Sequence, residues 1–208
     1  MWNPGFESYV ACVGRLYGYH RAFCLYSEYY RGSPRRRGLV LGLDRGGSCL
    51  GRLYGISVRE ADRVLSYLVD REMRGHKEDV YLLRWLPIDL SVRQNKLDSF
   101  QTHTSTLSSN KVWNSAVKTR KGIQLLYPLP MSVVAACFVV NRSHEHYAGR
   151  LPAIRIAKII SNARGVSGSN REYLFNTIER IDRCGFSSKS LNYLAELVKA
   201  NSKKRSGS

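Results

Sequence analysis

Several features that would assign this chain to a class at once are missing from its sequence. The start, MWNPGFESYV, has no basic region followed by an apolar run, and therefore no recognisable signal peptide. The longest strongly apolar run, residues 133–140, is far too short to cross a bilayer. The five cysteines are an odd number without a C-x-x-C pair, a pattern typical of free thiols in a reducing compartment. These absences predict a soluble cytoplasmic protein that does not associate with a membrane.

Motifs of nucleotide binding and of serine hydrolysis are also missing. The chain contains no P-loop, no Rossmann fingerprint and no G-x-S-x-G elbow. The sequence His-Glu-His at residues 144–146 does not match a closed set of zinc ligands, so we interpret it as a polar surface turn. Nucleotide-dependent and nucleophilic-serine chemistry both lose support.

Acidic side chains are scarce. Thirty-three Lys and Arg against sixteen Asp and Glu give a formal charge of +17, which would attract nucleic acid, an anionic membrane surface or small acidic metabolites. The densest basic clusters, at residues 35–37 and 203–205, come without an RNA- or DNA-binding signature. We interpret the excess charge as a solvated basic surface, and we do not expect nucleic acid to be the main partner.

The order of the elements predicts an α+β fold. A chain of 208 residues suits one domain, which we assign to residues 1–200 with a basic tail at 201–208. Short apolar runs separated by glycines predict strands of a sheet or barrel, and the run at 133–140 predicts a central strand covered on both faces. The polar segment at about 91–122 predicts a surface loop or insertion. The predicted strands cover residues 39–43, 49–56, 80–90, 124–127 and 133–140.

Helices are predicted at one place among the strands and throughout the last third of the chain. Ser57 with Glu60 and Ser169 with Glu172 each have the spacing of a capping box. The first pair opens a helix predicted over residues 58–73, and the second opens the middle one of three C-terminal helices. The three C-terminal stripes contain Ile154, Ala157 and Ile160, then Leu174, Ile178 and Ile181, then Leu191, Leu194 and Val198.

Glu72 is the most informative single residue. It continues the row of Val64 and Leu68 at steps of four, which points its carboxylate toward the core. Desolvation and the negative end of the helix both favour the protonated form, which suits a group that must take and return a proton. The alternative is that Glu72 pairs with Arg71 or Arg74, or reaches solvent at the helix end.

Six strings stand out along the chain: MWNPGF at the start, GYHRAFCLYS at 18–27, RGSPRRRGLVLGL at 31–43, YLVDREM at 67–73, HEHYAGRLP at 144–152 and SGSNREYLFNTI at 167–178. In this order and combination they resemble the ordered blocks of ChaC-like γ-glutamylcyclotransferases. The resemblance implies a γ-glutamylcyclotransferase-like fold, a small mixed β-barrel surrounded by helices. It also implies cleavage of glutathione into 5-oxoproline and Cys-Gly, without a metal or organic cofactor, and we expect a monomer.

The resemblance also implies roles for three residues. The acid/base glutamate of the family lies in the block that is YLVDREM here, so Glu72 matches it by position. Tyr173 and Arg31 match family positions near the substrate pocket, where a basic Arg31 could meet a substrate carboxylate. The alternatives are a packed core tyrosine and a solvated loop charge. We predict no metal-binding residues.

The chain departs from the family's pattern at its start. In the family, a strand ending in a Tyr-Gly-Ser-Leu turn immediately precedes the MWNPGF block, and the backbone amides of that turn bind the glutamyl group. This chain begins at Met1, directly after that turn. The resemblance therefore implies either an N-terminally truncated relative or a true start that lies upstream. The loss of the strand should uncover a sheet edge.

Two other functions remain open. A truncated, catalytically impaired relative would act as a basic protein that binds anions or nucleic acid, and its retention on heparin would weaken steeply with added salt. A cyclotransferase for another γ-glutamyl compound is also possible, since the same cyclisation tolerates different leaving amines.

Overall fold

The computed structural model describes residues 4–73, 79–91, 116–119, 122–125 and 132–206, and the structural statements below refer to these residues. A 3-10 turn, Val58–Glu60, precedes the first helix. The strands are β1 Val10–Ser27, β2 Gly38–Gly55, β3 Tyr81–Asp89, β4 Ala116–Thr119, β5 Gly122–Leu125, β6 Ser132–Val140, β7 Arg164–Gly165 and β8 Gly168–Ser169. The helices are α1 Ala61–Met73, α2 Ala153–Asn162, α3 Asn170–Arg183 and α4 Lys189–Ser206.

Four strands form one sheet in the order β2-β1-β3-β6, and β1 and β3 run antiparallel with Arg15 opposite Asp89. The α+β class is therefore confirmed. The predicted barrel is corrected, because among the described residues β2 and β6 are the two ends of an open sheet. The Gly42 backbone of β2 still packs against the Val140 side chain of β6, since a Cβ added to Gly42 would lie 2.4 Å from Val140 Cγ2.

The described residues fall into two compact units. The first unit takes its residues from Met1–Gly18, Gly47–Arg74 and Arg84–Cys137, and the second from Tyr19–Gly46, Gly75–Leu83 and Phe138–Ser208. The prediction of a single domain stays a prediction. None of the described helices combines the length and the apolar composition that crossing a bilayer requires.

The first unit contains α1, which begins where the sequence predicts. The Ser57 hydroxyl accepts a hydrogen bond from the Arg59 N–H at 3.3 Å, while the Glu60 carboxylate accepts from Arg63 Nε at 2.7 Å instead of completing a capping box with Ser57. The helix follows without a break, so the predicted helix over 58–73 is confirmed. Burial of one large aliphatic side chain stabilises a fold by about 1.5–3 kcal/mol. The buried apolar residues of this unit are Val13, Leu16, Val64, Leu68 and Ile88.

The second unit contains the three C-terminal helices that the sequence predicts, and they pack on one another. The Glu172 N–H donates to Ser169 Oγ at 3.2 Å, and the Ser169 N–H donates to Glu172 Oε2 at 3.0 Å, so this capping box is complete. Of the predicted stripes, most residues are buried, whereas Ile154 is 72% exposed. The buried apolar residues on these helices are Ala157, Ile160, Leu174, Ile181, Leu191, Leu194, Ala195 and Val198.

Two strand predictions are corrected. The run at 133–140 forms β6, but β6 ends the described sheet and Val134 is 66% exposed, so it is not a central strand covered on both faces. The segment predicted as a loop at 91–122 includes β4 and the start of β5, which pair antiparallel. A polar sequence without alternating apolar and polar residues gives little sign that a short hairpin forms there. The rest of that segment after residue 91 lies outside the described residues.

Candidate active site

Glu72 is the second-last residue of α1, in the first unit. Val64 and Leu68, which precede it in the same helical row, are 2% and 9% exposed. The Glu72 side chain retains 29% of its exposure, so most of it is removed from water. The helical spacing therefore predicted correctly that Val64 and Leu68 are buried, and Glu72, at the end of the same row, is partly buried.

Arg71 is the charged neighbour of Glu72. Its Nε lies 3.7 Å from Glu72 Oε1, which is close enough for an ion pair and too long for a hydrogen bond. A partly exposed pair of this kind contributes less than about 1 kcal/mol to stability. The pairing that the sequence left as an alternative is thus present, together with partial burial of the carboxylate.

The N-terminal segment lies against the same helix. Arg71 Nη1 donates to the Pro4 carbonyl at 3.0 Å and to the Tyr67 hydroxyl at 3.2 Å. Gly5 has a left-handed backbone, with φ at +76°, and a Cβ added there would lie 2.1 Å from the Tyr67 hydroxyl oxygen. Pro4 and Gly5 therefore lie against the turn of α1 that precedes Glu72.

Replacing Gly5 with alanine should destabilise this contact. The left-handed backbone and the overlap with Tyr67 both act against a Cβ, so we expect the free energy of unfolding in urea to fall by about 2–4 kcal/mol. Gly18→Ala is a matched control, because Gly18 has φ at +79° with no atom within 4 Å of the added Cβ. If both variants lose the same stability, close packing on Tyr67 is not the cause.

The other two predicted site residues, Arg31 and Tyr173, lie together in the second unit. The Arg31 guanidinium carbon is 5.2 Å from the centroid of the Tyr173 ring, a cation–π distance. Arg31 Nη1 also donates to the Ser167 carbonyl, and the Arg31 backbone N–H donates to Ser27 Oγ at 3.0 Å. Arg31 is thus held by several contacts and is not a freely solvated loop charge.

Asn170 stabilises the fold, although no sequence pattern points to it. It is fully buried, and its amide pairs with both backbone groups of Leu39 on β2: Oδ1 accepts from the N–H and Nδ2 donates to the C=O, each at 2.7 Å. One helical turn later, the Tyr173 hydroxyl accepts from the Leu41 N–H at 3.3 Å. Side chains at the start of α3 therefore supply hydrogen-bond partners for backbone groups on the outer edge of β2. These groups do not need a further strand as their partner.

Asp44, at the end of the apolar run of β2, was missed as well. Its side chain is 2% exposed, and it accepts from Arg142 Nε at 2.6 Å, the Arg45 N–H at 2.8 Å and the Tyr147 hydroxyl at 3.0 Å. Burial alone would raise the pKa of Asp44, but these donors outweigh it and hold the pKa below its usual value. A buried aspartate at a strand end is invisible to sequence patterns because its main partners come nearly one hundred residues later.

The His-Glu-His segment is a turn in which Glu145 keeps 84% of its side-chain exposure, whereas one of its histidines is buried. His144 is 7% exposed, and its Nδ1 accepts a hydrogen bond from the His146 N–H at 3.0 Å. The two imidazole rings meet edge to face, with centroids 5.0 Å apart. Within the described ranges no group of three or more His, Cys, Asp or Glu side chains is arranged to hold a metal ion.

A groove of about 430 Å³ on α3 and α4 contains none of the three predicted site residues. It is lined by Phe175, Ile178, Glu179, Asp182, Asn192, Ala195, Glu196 and Lys199.

Comparison with known proteins matches nearly the whole chain to one sequence family. The profile described as "ChaC-like protein" matches residues 1–204. The chain is 29% identical over 199 residues to a glutathione-specific γ-glutamylcyclotransferase of Escherichia coli K12, covering 96% of this chain and 69% of that protein. It is 27% identical over 201 residues to γ-glutamylcyclotransferase 2-3 of Arabidopsis thaliana, covering 96% and 84%.

A human relative and a solved structure agree with this match. The chain is 25% identical over 202 residues to the human glutathione-specific γ-glutamylcyclotransferase 1, covering 96% of this chain and 73% of that protein. A crystal structure of a yeast γ-glutamylcyclotransferase specific to glutathione superimposes with a TM-score of 0.67 at 18% identity, covering 95% of this chain and 91% of that one. That likeness shows the fold. The prediction of N-terminal truncation is not tested by these alignments and stays a prediction.

Proposed function

This chain belongs to the ChaC-like protein family, and we propose that it is a glutathione-specific γ-glutamylcyclotransferase with Glu72 as its acid/base residue. The observation that carries the proposal is the position of Glu72: it lies in the block that matches the family's catalytic glutamate and on the buried row of α1. The names of the bacterial and human relatives support glutathione as the substrate.

The reaction needs one carboxylate because the substrate supplies its own nucleophile. The α-amine of the glutamyl group attacks the γ-carbonyl carbon, a new C–N bond closes the five-membered lactam, and the bond to the Cys-Gly amine breaks. Tethering of the nucleophile removes the cost of a bimolecular encounter. Glu72 would take a proton from the α-ammonium group and later deliver one to the departing amine.

Partial burial suits this task. The Glu72 side chain keeps 29% of its exposure, so a substrate can reach it while most of the side chain is removed from water. Arg71 is the charged neighbour, and its guanidinium is already engaged with Pro4 and Tyr67. The carboxylate therefore has no direct hydrogen bond from Arg71 that it would have to break before it meets the substrate.

Arg31 and Tyr173 are proposed as substrate-binding residues. The support is that Arg31 is held on the Tyr173 ring and by the Ser167 carbonyl, which leaves N–H groups of a fixed guanidinium for a carboxylate. Tyr173 has a second role that the structure makes plain, since its hydroxyl accepts from Leu41. Its substitution would therefore affect stability as well as substrate binding.

The proposal is tested by incubating the folded chain with glutathione and measuring 5-oxoproline and Cys-Gly by chromatography. We expect equal amounts of the two products. In a competition with γ-glutamyl-alanine, we expect glutathione to be consumed first. If γ-glutamyl-alanine is consumed first, the cyclisation is correct but the preferred substrate is not glutathione. If neither compound releases 5-oxoproline, the proposed function is wrong.

We further propose that the chain works in the cytoplasm as a monomer without a cofactor. All five cysteines are free thiols in the structure, which suits a reducing compartment. The cyclisation uses one substrate molecule and one carboxylate, so a single chain can supply what the chemistry requires. A dimer mass in solution at micromolar concentration, measured by light scattering, would contradict the monomer.

A further inference from the structure

Three arginines of the second unit form a compact group, which we call the basic cluster: Arg45, Arg142 and Arg150. Arg142 Nη2 donates to the Arg45 carbonyl at 3.1 Å, and Arg150 Nη2 donates to the same oxygen at 3.4 Å. Two guanidinium groups thus meet at one uncharged acceptor. Like charges at this separation repel, and an anion that bridges them would relieve the repulsion.

The carboxylate that contacts the basic cluster cannot neutralise it at the surface. Asp44 is buried, and both of its oxygens are occupied, one by Arg142 and the Arg45 N–H and the other by Tyr147. The Asp44 carboxylate thus pairs with one guanidinium, that of Arg142, from the buried side, and Arg45 reaches it through its backbone N–H. The side chains of Arg45 and Arg150 are exposed, so their charge is available to a ligand from solvent.

The basic cluster is preorganised. Arg142 is held by Asp44 through Nε, by the Arg45 carbonyl through Nη2, and over the Tyr147 ring with its guanidinium carbon 5.7 Å from the centroid. Donors fixed before a ligand arrives lose little side-chain entropy on binding.

The backbone next to the basic cluster is arranged to admit an anion. A Cβ on Gly46 would lie 3.3 Å from Arg150 Nη2, so glycine keeps this approach open. His20 Nδ1 lies 2.8 Å from the Gly46 carbonyl and must donate, because a carbonyl only accepts. The carbonyls of Arg45 and Gly46, which would repel an anion, are both occupied by donors.

We propose that the basic cluster is a binding site for a phosphate-type oxyanion, either free phosphate or a phosphomonoester. A tetrahedral dianion presents several oxygens to two guanidinium groups at once, and arginine forks bind such groups bidentately. The residues of the basic cluster are distinct from those assigned to glutathione cleavage. The inference therefore stands or falls independently of the proposed function.

The test is calorimetric titration of the folded chain with inorganic phosphate at low ionic strength, repeated with Arg150→Gln. We expect saturable binding that Arg150→Gln weakens about tenfold or more, since it removes a charge-assisted donor. Arg155→Gln, an exposed arginine on α2, removes the same charge elsewhere and should bind phosphate like the original chain. Co-sedimentation with vesicles containing phosphatidic acid distinguishes a lipid monoester from the free ion.

Three outcomes would overturn the inference. One is the absence of saturable phosphate binding by the folded chain. Another is an equal loss of affinity in Arg150→Gln and Arg155→Gln, which would show a diffuse charge effect. The third is binding of single-stranded RNA that both variants weaken equally while phosphate does not compete, which would assign the positive charge to nucleic acid.

Discussion

Glu72→Gln should abolish the release of 5-oxoproline from glutathione while leaving the fold intact. Glutamine keeps the size and helical preference of the side chain but cannot take up or return a proton. Removal of a general acid/base lowers kcat by about 10²–10⁴-fold. The measurement is the rate of 5-oxoproline formation at saturating glutathione. Because the ion pair with Arg71 is long and partly exposed, its loss should change stability by less than about 1 kcal/mol.

Glu60→Gln is the matched control for this prediction. Glu60 lies in the 3-10 turn just before the same helix, is exposed, and pairs with Arg63. We expect its variant to keep full activity. If Glu72→Gln still turns over glutathione at a comparable rate, with an unchanged unfolding transition, another residue performs the proton transfer.

Asn170→Leu should lower the free energy of unfolding by about 3–5 kcal/mol. The substitution keeps the number and branching of the side-chain heavy atoms but leaves the buried N–H and C=O of Leu39 without the two partners that they have at 2.7 Å. Each buried backbone group left unsatisfied costs about 1–3 kcal/mol. Because the amide lies at the start of α3, the loss should also loosen the contact between that helix and the edge of β2. Guanidinium unfolding followed by circular dichroism measures the change.

Asn162→Leu separates this effect from the general cost of losing an amide. The Asn162 side chain is at the surface, where Nδ2 donates to the Lys158 carbonyl of the same helix. Water can replace that bond, so we expect a change within about 1 kcal/mol. Equal losses in the two variants would show that the pairing with Leu39 is not what stabilises the edge of β2.

The helices were predictable because their signals are local. The capping box at Ser169 and Glu172 forms between residues three positions apart, and the apolar stripes repeat within single turns. Glu72 belongs to the same kind of signal, since its partly buried position continues the row of Val64 and Leu68, eight and four residues earlier. Family resemblance then added the chemistry to a side chain whose orientation was already predicted.

The strands were less predictable because their partners are distant in sequence. The runs at 39–43 and 49–56 predicted two strands, and the structure joins them into the single strand β2. The run at 133–140 was apolar enough for the middle of a sheet, yet β6 lies at its end. An apolar sequence indicates that a strand is buried. It does not indicate the strand's place in the sheet, because that depends on which other strands pair with it.

What the sequence by itself determined is the α+β class and the helices with their buried faces, and it supplied the carboxylate that we propose for the acid/base step. What only the tertiary structure decided is the partner of each buried polar group. Asn170 meets Leu39 across 131 residues, and Asp44 meets Arg142 across 98. A helix repeats within a few residues and so leaves its pattern in the sequence. A hydrogen bond between distant segments leaves no pattern, because either partner alone looks like an ordinary polar residue.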